Sequence, residues 1–224
     1  MRIKKIIAVK ISVIFIISSL FNISSAHNQS GWVTGGEYVA WVYVSISHTN
    51  SNNLLYKFNE SDPYFSTSNN PNYRNFIIQG AALWTNYSDI TVSQSSSAVG
   101  EVLTYTSSSD GYNAKFYDQK ADFSGHLTGW KIGMNRSNTP NAISMAHEFG
   151  HAIGLDDLSG LANTNKLMYG SASTTAIYPT AFDKWGAHVI TGIHTHSSNS
   201  NWVQSFYFKD TSGSKVKQTP SKNL

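Results

Sequence analysis

The stretch HEFGHAIGLDD, residues 147–157, contains the residues of this chain that are best suited to metal chemistry. His147 and His151 lie one helical turn apart, because residues i and i+4 of a helix differ by only ~40° in direction and ~6 Å along the axis. Two imidazoles at that spacing can bind one zinc ion. Random placement of the 8 His and 4 Glu residues over 224 positions gives about 0.005 H-E-x-x-H patterns. The pattern therefore predicts a zinc site with both histidines as ligands.

Glu148 follows the first histidine and is predicted to act on water rather than to bind the metal. Its carboxylate can take a proton from a water molecule and hand it to the leaving amine, while zinc polarises the scissile carbonyl. A purely structural zinc site has no need of an unliganded carboxylate at this position. Glu148 is therefore the predicted catalytic residue of a zinc-dependent endopeptidase that hydrolyses peptide bonds of proteins.

A catalytic zinc site needs a third protein ligand, and it leaves a fourth position open for water. A glutamate on a later helix is excluded, because no glutamate follows Glu148 in the sequence. Gly154 can adopt the left-handed conformation that ends a helix and reverses the chain, which would deliver the residue three positions later. That residue is Asp157, the predicted third ligand, and Asp156 is the alternative if the turn is tighter.

This stretch resembles the pattern H-E-x-x-H-x-x-G-x-x-H of the metzincin metalloproteases, except that Asp157 replaces the third histidine. The departure is similar to the snapalysin-type branch, small secreted proteases in which aspartate is the third zinc ligand. Downstream, NKLMYG resembles the methionine turn of the family, and the resemblance implies that Met168 lies beneath the metal without binding it. Tyr169 receives no catalytic role, because the functional tyrosine of some branches lies two residues after the methionine, where this chain has Gly170.

The resemblance also covers the order of the elements, which follows matrixin-like catalytic domains. It implies zinc as the cofactor and allows structural Ca²⁺ as a second one. A weaker variant resembles the aspzincins, with Asp183 as ligand in place of Asp157.

Hydrophobic periodicity and turn residues predict the elements that position these residues. Strands are expected at 37–47, 89–94, 100–107, 111–118, 129–135 and 201–208, helices at 73–88, 138–154 and 178–192, and a loop at 48–72. The predicted fold is α+β: a zincin-like or metzincin-like domain with a twisted mixed sheet, an active-site helix, a second packing helix and a C-terminal helix. The last helix is expected to end at Gly192, and the Lys-rich end of the chain is expected to be a loose tail.

The helix at 138–154 carries the clearest start signal. Asn138 or Thr139 is the expected N-cap, and Pro140 is expected in the first turn, where its missing N–H costs nothing. Its apolar stripe should pack against the sheet, and the stripe consists of Ile143, Ala146, Phe149 or Gly150, and Ile153. The helix at 73–88 has a buried face of its own, made of Phe76, Ile77, Gly80, Leu83, Trp84 and Tyr87.

The first 26 residues have the layout of a secretory signal: basic residues, then an apolar run, then small residues ending at Ala26. An uncleaved anchor is the alternative, although the apolar core is shorter than the ~20 residues of a spanning helix. We therefore predict a signal peptide at 1–26, a catalytic domain at 27–197 and a C-terminal strand with a basic tail at 198–224. The expected location of the protein is secreted and extracellular.

Charge and cysteine content argue against a nucleic-acid-binding protein and against a disulfide-supported fold. Four of the sixteen Lys and Arg residues lie in the signal segment, so the remaining chain has twelve basic and thirteen acidic residues. The pI of 8.9 therefore does not indicate nucleic-acid binding. We expect the partners to be protein or peptide substrates and not nucleic acid. We also expect no stable membrane insertion after signal cleavage, and the sequence does not predict an oligomeric state. The chain has no cysteine, so no disulfide supports the fold and no thiolate can cap the zinc.

Other possible metal ligands and aromatic residues of the chain have simpler structural explanations. His194 and His196 flank Thr195 and could bind a metal from a strand, although a solvated loop is the simpler reading. Ordinary loop polarity is also preferred for the polar group near the middle of the chain, which consists of His126, Asp110, Asp118 and Asp122. The tryptophans Trp32, Trp41 and Trp202 are expected in the core. The alternative function is an exported zinc-containing binding or adhesive domain without catalysis.

Overall fold

The computed structural model describes residues 31–32, 39–41, 49, 51–65, 72–122, 126–158, 161–171, 173–192, 206–209 and 215–218. Within these ranges the chain has a five-stranded mixed sheet and three α-helices. This mixed α/β architecture is compatible with the predicted α+β class. None of the helices in these ranges has both the length and the hydropathy that crossing a membrane requires. The predicted signal segment and the residues His194 and His196 lie outside the described residues.

The strands are β1 (Gly31–Trp32), β2 (Val39–Trp41), β3 (Asn53–Phe58), β4 (Thr91–Gln94), β5 (Gly100–Tyr105), β6 (Ala114–Ala121), β7 (Leu127–Asn135), β8 (Phe206–Lys209) and β9 (Lys215–Gln218). The helices are α1 (Tyr73–Tyr87), α2 (Ala142–Ile153) and α3 (Ala181–Gly192). Short 3₁₀ turns occur at Pro63–Phe65 and Leu161–Asn163. The helix at 73–88 and the four strands between it and the second helix are therefore confirmed to within a few residues, and α3 ends at Gly192 as expected.

The central sheet has the strand order β4-β3-β5-β7-β6. Strands β4, β3, β5 and β7 run parallel to one another, and β6 pairs antiparallel with β7 at the edge. Alternate residues of β3 point into the core, and these are Leu54, Tyr56 and Phe58. Among the described residues β6 has a partner on one side only, so it forms an edge of the sheet.

The loop predicted at 48–72 was wrong in its first part, because β3 lies there in the interior of the sheet. The sequence signal was the alternation of apolar residues in NLLYKF, which is short and lies among runs of Ser and Asn. Pairing with β4 and β5 supplies the hydrogen bonds that make this segment a strand. Of the strand predicted at 37–47, the described part is β2, which pairs with β1.

Helices α1 and α2 pack closely because small residues lie between them. A Cβ on Gly80 would lie 2.6 Å from the Cβ of Met145, so the two helices could not approach this closely with a larger residue there. Trp84 is fully buried, and its Nε1 donates to the carbonyl of Ala146 at 2.7 Å. These contacts fix α2 against α1, and Phe149 of α2 packs against the sheet residues Tyr56 and Trp130.

The start of α2 differs from the prediction. Its N-cap is Asn141, whose side chain accepts from the backbone N–H groups of Ile143 and Ser144 at 2.9 and 3.0 Å. Pro140 therefore precedes the cap instead of occupying the first turn, and neither Asn138 nor Thr139 is the cap. The predicted apolar stripe is buried except for Ile143, which is only partly covered and faces the cleft described below.

The C-terminal region contains more structure than predicted. Strand β8 falls at the end of the strand expected at 201–208, and it pairs antiparallel with β9. The expectation of a loose Lys-rich tail was therefore wrong over Lys215–Gln218. The side chains of the three tryptophans expected in the core, Trp32, Trp41 and Trp202, lie outside the described parts of the structure.

Candidate metal centre

The chain reverses direction after α2 as the sequence predicted. Gly154 has φ 124°, a conformation that residues with a Cβ rarely adopt, and its N–H donates to the carbonyls of Gly150 and His151. The N–H of Leu155 also donates to the carbonyl of Gly150, at 3.0 Å. The segment after the glycine is therefore turned back along the helix.

Two backbone hydrogen bonds then hold the returning segment against the residues around Met168. The N–H of Leu158 donates to the carbonyl of Met168 at 2.7 Å, and the N–H of Gly170 donates to the carbonyl of Leu158 at 3.0 Å. This short parallel pairing places Asp157 beside Gly170, where a Cβ on residue 170 would lie 2.9 Å from the Asp157 Cγ. A glycine at position 170 therefore leaves the space in which the carboxylate lies.

The structure brings His147, His151 and Asp157 together, with one ligand atom from each within 4.8 Å of the others. The Asp157 Oδ1 lies 3.0 Å from the Nε2 of His147 and 3.7 Å from the Nε2 of His151. Zinc ligands at ~2.0–2.1 Å in a tetrahedral arrangement are separated from each other by about 3.3 Å. Two imidazole nitrogens and one carboxylate oxygen at these separations fit a zinc ion.

Both imidazoles are oriented by a backbone carbonyl behind them. The Nδ1 of His147 donates to the carbonyl of Leu167, and the Nδ1 of His151 donates to the carbonyl of Leu155, each at 2.8 Å. Because a carbonyl can only accept, Nδ1 carries the proton and Nε2 has its lone pair free in the neutral ring. Metal-binding histidines are usually held in this way. The ring of His151 is also stacked on Phe116, with centroids 6.1 Å apart.

Hydrogen bonds and charges within the group favour the protonated form of His147 and the ionised form of Asp157. Burial lowers the pKa of His147, but the hydrogen bond with Asp157 and the negative charge of Glu148 outweigh burial and raise this pKa to about 9. Burial raises the pKa of Asp157, but the hydrogen bond with His147 and the charge of His151 outweigh it and lower this pKa below its ordinary value. A cation that binds here must therefore displace a proton from His147 at neutral pH, so binding is favoured as the pH rises.

Glu148 is buried at 7% exposure but lines the same cleft as the three grouped side chains. Among the described residues its carboxylate has no hydrogen-bond or ion-pair partner. Burying a carboxylate without a partner costs free energy, so such a group is a candidate for a catalytic role. Its place beside His147 puts a proton acceptor within the cleft.

Met168 and Asp183 support the centre from behind. Met168 is buried, and a Cβ on Gly150 would lie 2.3 Å from its Sδ, so the methionine packs directly against α2. The fully buried carboxylate of Asp183 accepts from the backbone N–H groups of Leu167 and Met168 at 3.0 and 3.2 Å. It also accepts from Thr180, the residue before α3. Asp183 thus fixes the segment whose Leu167 carbonyl orients His147.

The grouped side chains lie in a cleft with a volume of about 830 Å³. One wall is formed by residues 111–116, which include the start of the edge strand β6. The opposite wall is formed by residues 169–171, Thr174 and residues 176–177, and the floor is α2. An extended chain could therefore lie between the edge strand and the opposite wall, directly over the centre.

The alternative ligands lie elsewhere. The Asp156 carboxylate accepts from the N–H of Asp157 at 2.8 Å and does not belong to the group. Asp183 is occupied with the backbone groups described above. Of the mid-chain polar residues, each carboxylate contacts a protein cation or imidazole, and the pairs are Asp110–Lys115, Asp118–Lys131 and Asp122–His126. Within the described residues, His147, His151 and Asp157 form the one group of three potential metal ligands.

Sequence reasoning did not identify the groups that orient the predicted ligands. The carbonyls of Leu155 and Leu167 are backbone atoms, so residue type carries no signal for them. Gly170 was noted only as the residue in the place of a tyrosine. The buried Asn135 was also missed, although a polar residue that ends a strand of otherwise apolar buried residues could have suggested a structural role.

No protein-family model matches the sequence, and no curated protein is significantly similar to it.

Proposed function

We propose that this protein is a secreted zinc-dependent endopeptidase of the metzincin type, matrixin-like or snapalysin-like, with aspartate as third ligand. The observation that carries the proposal is the convergence of His147, His151 and Asp157 in a cleft that also holds the unpaired carboxylate of Glu148. Their donor set of two nitrogens and one oxygen suits zinc, whereas Ca²⁺ and Mg²⁺ prefer oxygen ligands alone. Both imidazoles are already oriented by carbonyls, as zinc ligands require.

When bound, zinc would supply a positive charge that polarises the scissile carbonyl and makes water more acidic. Glu148 would take a proton from the attacking water and deliver it to the nitrogen of the leaving amine. Asp157 would lower the positive charge of the site relative to a third imidazole. The burial of Glu148 would keep bulk water from competing for that proton.

The substrate would bind as an added strand along β6, since this strand is at the edge of the sheet and the residues at its start line the cleft. The opposite wall would hold the substrate over the centre. An extended polypeptide fits this open arrangement, and the proposal therefore specifies protein or peptide substrates.

The proposal is tested with casein or gelatin and with a peptide library, using purified protein with and without added zinc. We expect cleavage that a chelator abolishes and that zinc restores. Glu148→Gln should keep full zinc content but lose about 10²-fold to 10⁴-fold in kcat, because only the proton acceptor is removed. A chain that binds zinc but cleaves no member of the library would instead support the exported binding or adhesive domain.

A further inference from the structure

The loop between β5 and β6, residues 106–113, forms one rim of the cleft without regular secondary structure. Its last three residues, 111–113, line the cleft beside the start of β6. Gly111 has φ 56°, so the chain turns there in a conformation that favours glycine. A rim of this kind needs contacts from elsewhere to hold a defined shape.

One buried amide supplies several of those contacts. Asn135 is fully buried, and its Nδ2 donates to the carbonyls of Ser107 and Tyr112 at 2.8 and 3.0 Å. The Nδ2 also lies 3.0 Å from the Oδ1 of Asp110. On the other side of the amide, Oδ1 accepts from the N–H groups of Ser107 and Ser137 at 3.1 and 3.0 Å. Both ends of the loop are thus tied to a single side chain at the end of β7.

The backbone of Tyr112 is held by hydrogen bonds, whereas its side chain is exposed. Its carbonyl accepts from the Nδ2 of Asn135 and also from the Nδ2 of Asn138 at 2.7 Å. The residue is 64% exposed, and it lines the cleft. Single exposed aromatic residues are common on protein surfaces and need no explanation by themselves. Because the backbone of Tyr112 is fixed twice at the rim of the cleft, binding to its ring does not require the loop to become ordered.

We propose that Tyr112 is a specificity-determining residue that contacts a large apolar side chain of the peptide substrate, and that Asn135 is the residue that positions it. The inference rests on the proposed function, because it assigns the contact to a substrate lying along β6. The contact is favourable because the tyrosine ring offers a broad apolar face. Asn135 is not one of the cleft-lining residues or grouped ligands, so it acts on Tyr112 through its hydrogen bonds to the loop.

The test compares matched peptides in which one position is either Phe or Ser, scanned along a sequence that the zinc-loaded full chain cleaves. At one position, Tyr112→Ala should lower kcat/KM for the Phe peptide by about threefold to tenfold through KM, and leave the Ser peptide unchanged. Asn135→Asp, which keeps the shape of the side chain but loses both donors, should give the same selective loss. Because both changes act on one contact, the double variant should lose no more than Tyr112→Ala alone.

Asp62→Asn is the matched control, because Asp62 holds Thr104 and Tyr64 by hydrogen bonds away from the cleft. It should lower the melting temperature without changing the preference for Phe. Zinc content should equal that of the unaltered chain in every variant. If Asn135→Asp does not fold, Asn138→Ala removes one of the two donors to Tyr112 and should show a smaller loss in the same direction.

Equal effects of Tyr112→Ala on the Phe and Ser peptides at every position would overturn the inference and leave the proposed function intact. A change in preference with Asp62→Asn as large as that with Asn135→Asp would also overturn the role given to the amide. If the unaltered chain cleaves no peptide, the proposed function fails and the inference fails with it. In the two results above the unaltered chain still cleaves peptides, so the two kinds of failure can be told apart.

Discussion

Gly170→Ala should weaken zinc binding while leaving the fold intact. The Cβ of the new alanine would lie 2.9 Å from the Asp157 Cγ and 3.1 Å from its Oδ1. Carbon atoms in favourable contact are ~3.5–4.0 Å apart, so the carboxylate has to move by roughly 0.6–1 Å. Ligand distances in a zinc site tolerate only about ±0.2 Å. The carboxylate would therefore be displaced by several times the tolerance of the site.

The expected loss of zinc affinity can be estimated from known changes to groups that hold a metal ligand in place. Changes to groups that orient metal ligands cost about 10-fold to 100-fold in metal affinity, or about 1.4–2.7 kcal/mol. The fold should change little, because Gly170 is exposed and its φ lies outside the left-handed region. The free energy of unfolding after zinc removal should therefore stay within about 0.5 kcal/mol of the original.

The assay is a zinc titration in competition with a chromophoric chelator, with denaturant unfolding of the chelator-treated protein alongside it. Gly129→Ala is the matched control, since a Cβ there meets Lys120 at an ordinary 3.5 Å and lies outside the cleft. Gly170→Ala should bind zinc more weakly than Gly129→Ala by at least about tenfold. Equal zinc affinity in the two variants would refute the reasoning that Asp157 is a ligand held in place beside residue 170.

Three further outcomes follow from the same contacts. Asp157→Ala should lose bound zinc while Asp156→Ala retains it, as measured by metal analysis after gel filtration, and full occupancy in the first variant would contradict the assignment. Gly150→Ala should lower the free energy of unfolding by about 1–3 kcal/mol, because the new Cβ would lie 2.3 Å from the Sδ of the buried Met168. A denaturant unfolding curve equal to that of the unaltered chain would contradict the close contact between Gly150 and Met168. Asn141→Ala should cost about 1 kcal/mol through loss of the N-cap of α2, seen as a fall in melting temperature of about 2–4 °C, and no fall would argue for a different helix start.

The sequence predicted the elements whose signal is local. The i, i+4 spacing of His147 and His151 and the glycine at 154 depend on one helix and its end, so both could be inferred from residue types. The start of α2 was misplaced because Asn138, Thr139 and Asn141 are all good caps around one proline, and residue type alone does not choose among them. Strand β3 was missed because its apolar alternation is short and flanked by polar runs.

The supporting contacts could not be predicted, because they join segments far apart in the chain. Gly170 matters through its contact with Asp157, and Asn135 matters through a loop more than twenty residues earlier. Neither contact leaves a periodic pattern in the sequence. The mixed α/β class with helices on a central sheet could be predicted, since runs of strands and separate helices follow one another along the chain.

The most direct test of the central claim is an anomalous-difference map from zinc-soaked crystals, recorded on both sides of the zinc absorption edge. The account predicts one strong peak at about 2.0–2.2 Å from the Nε2 atoms of His147 and His151 and from the Asp157 carboxylate. A well-ordered crystal with no peak between these three side chains, or with zinc held by other residues, would contradict it.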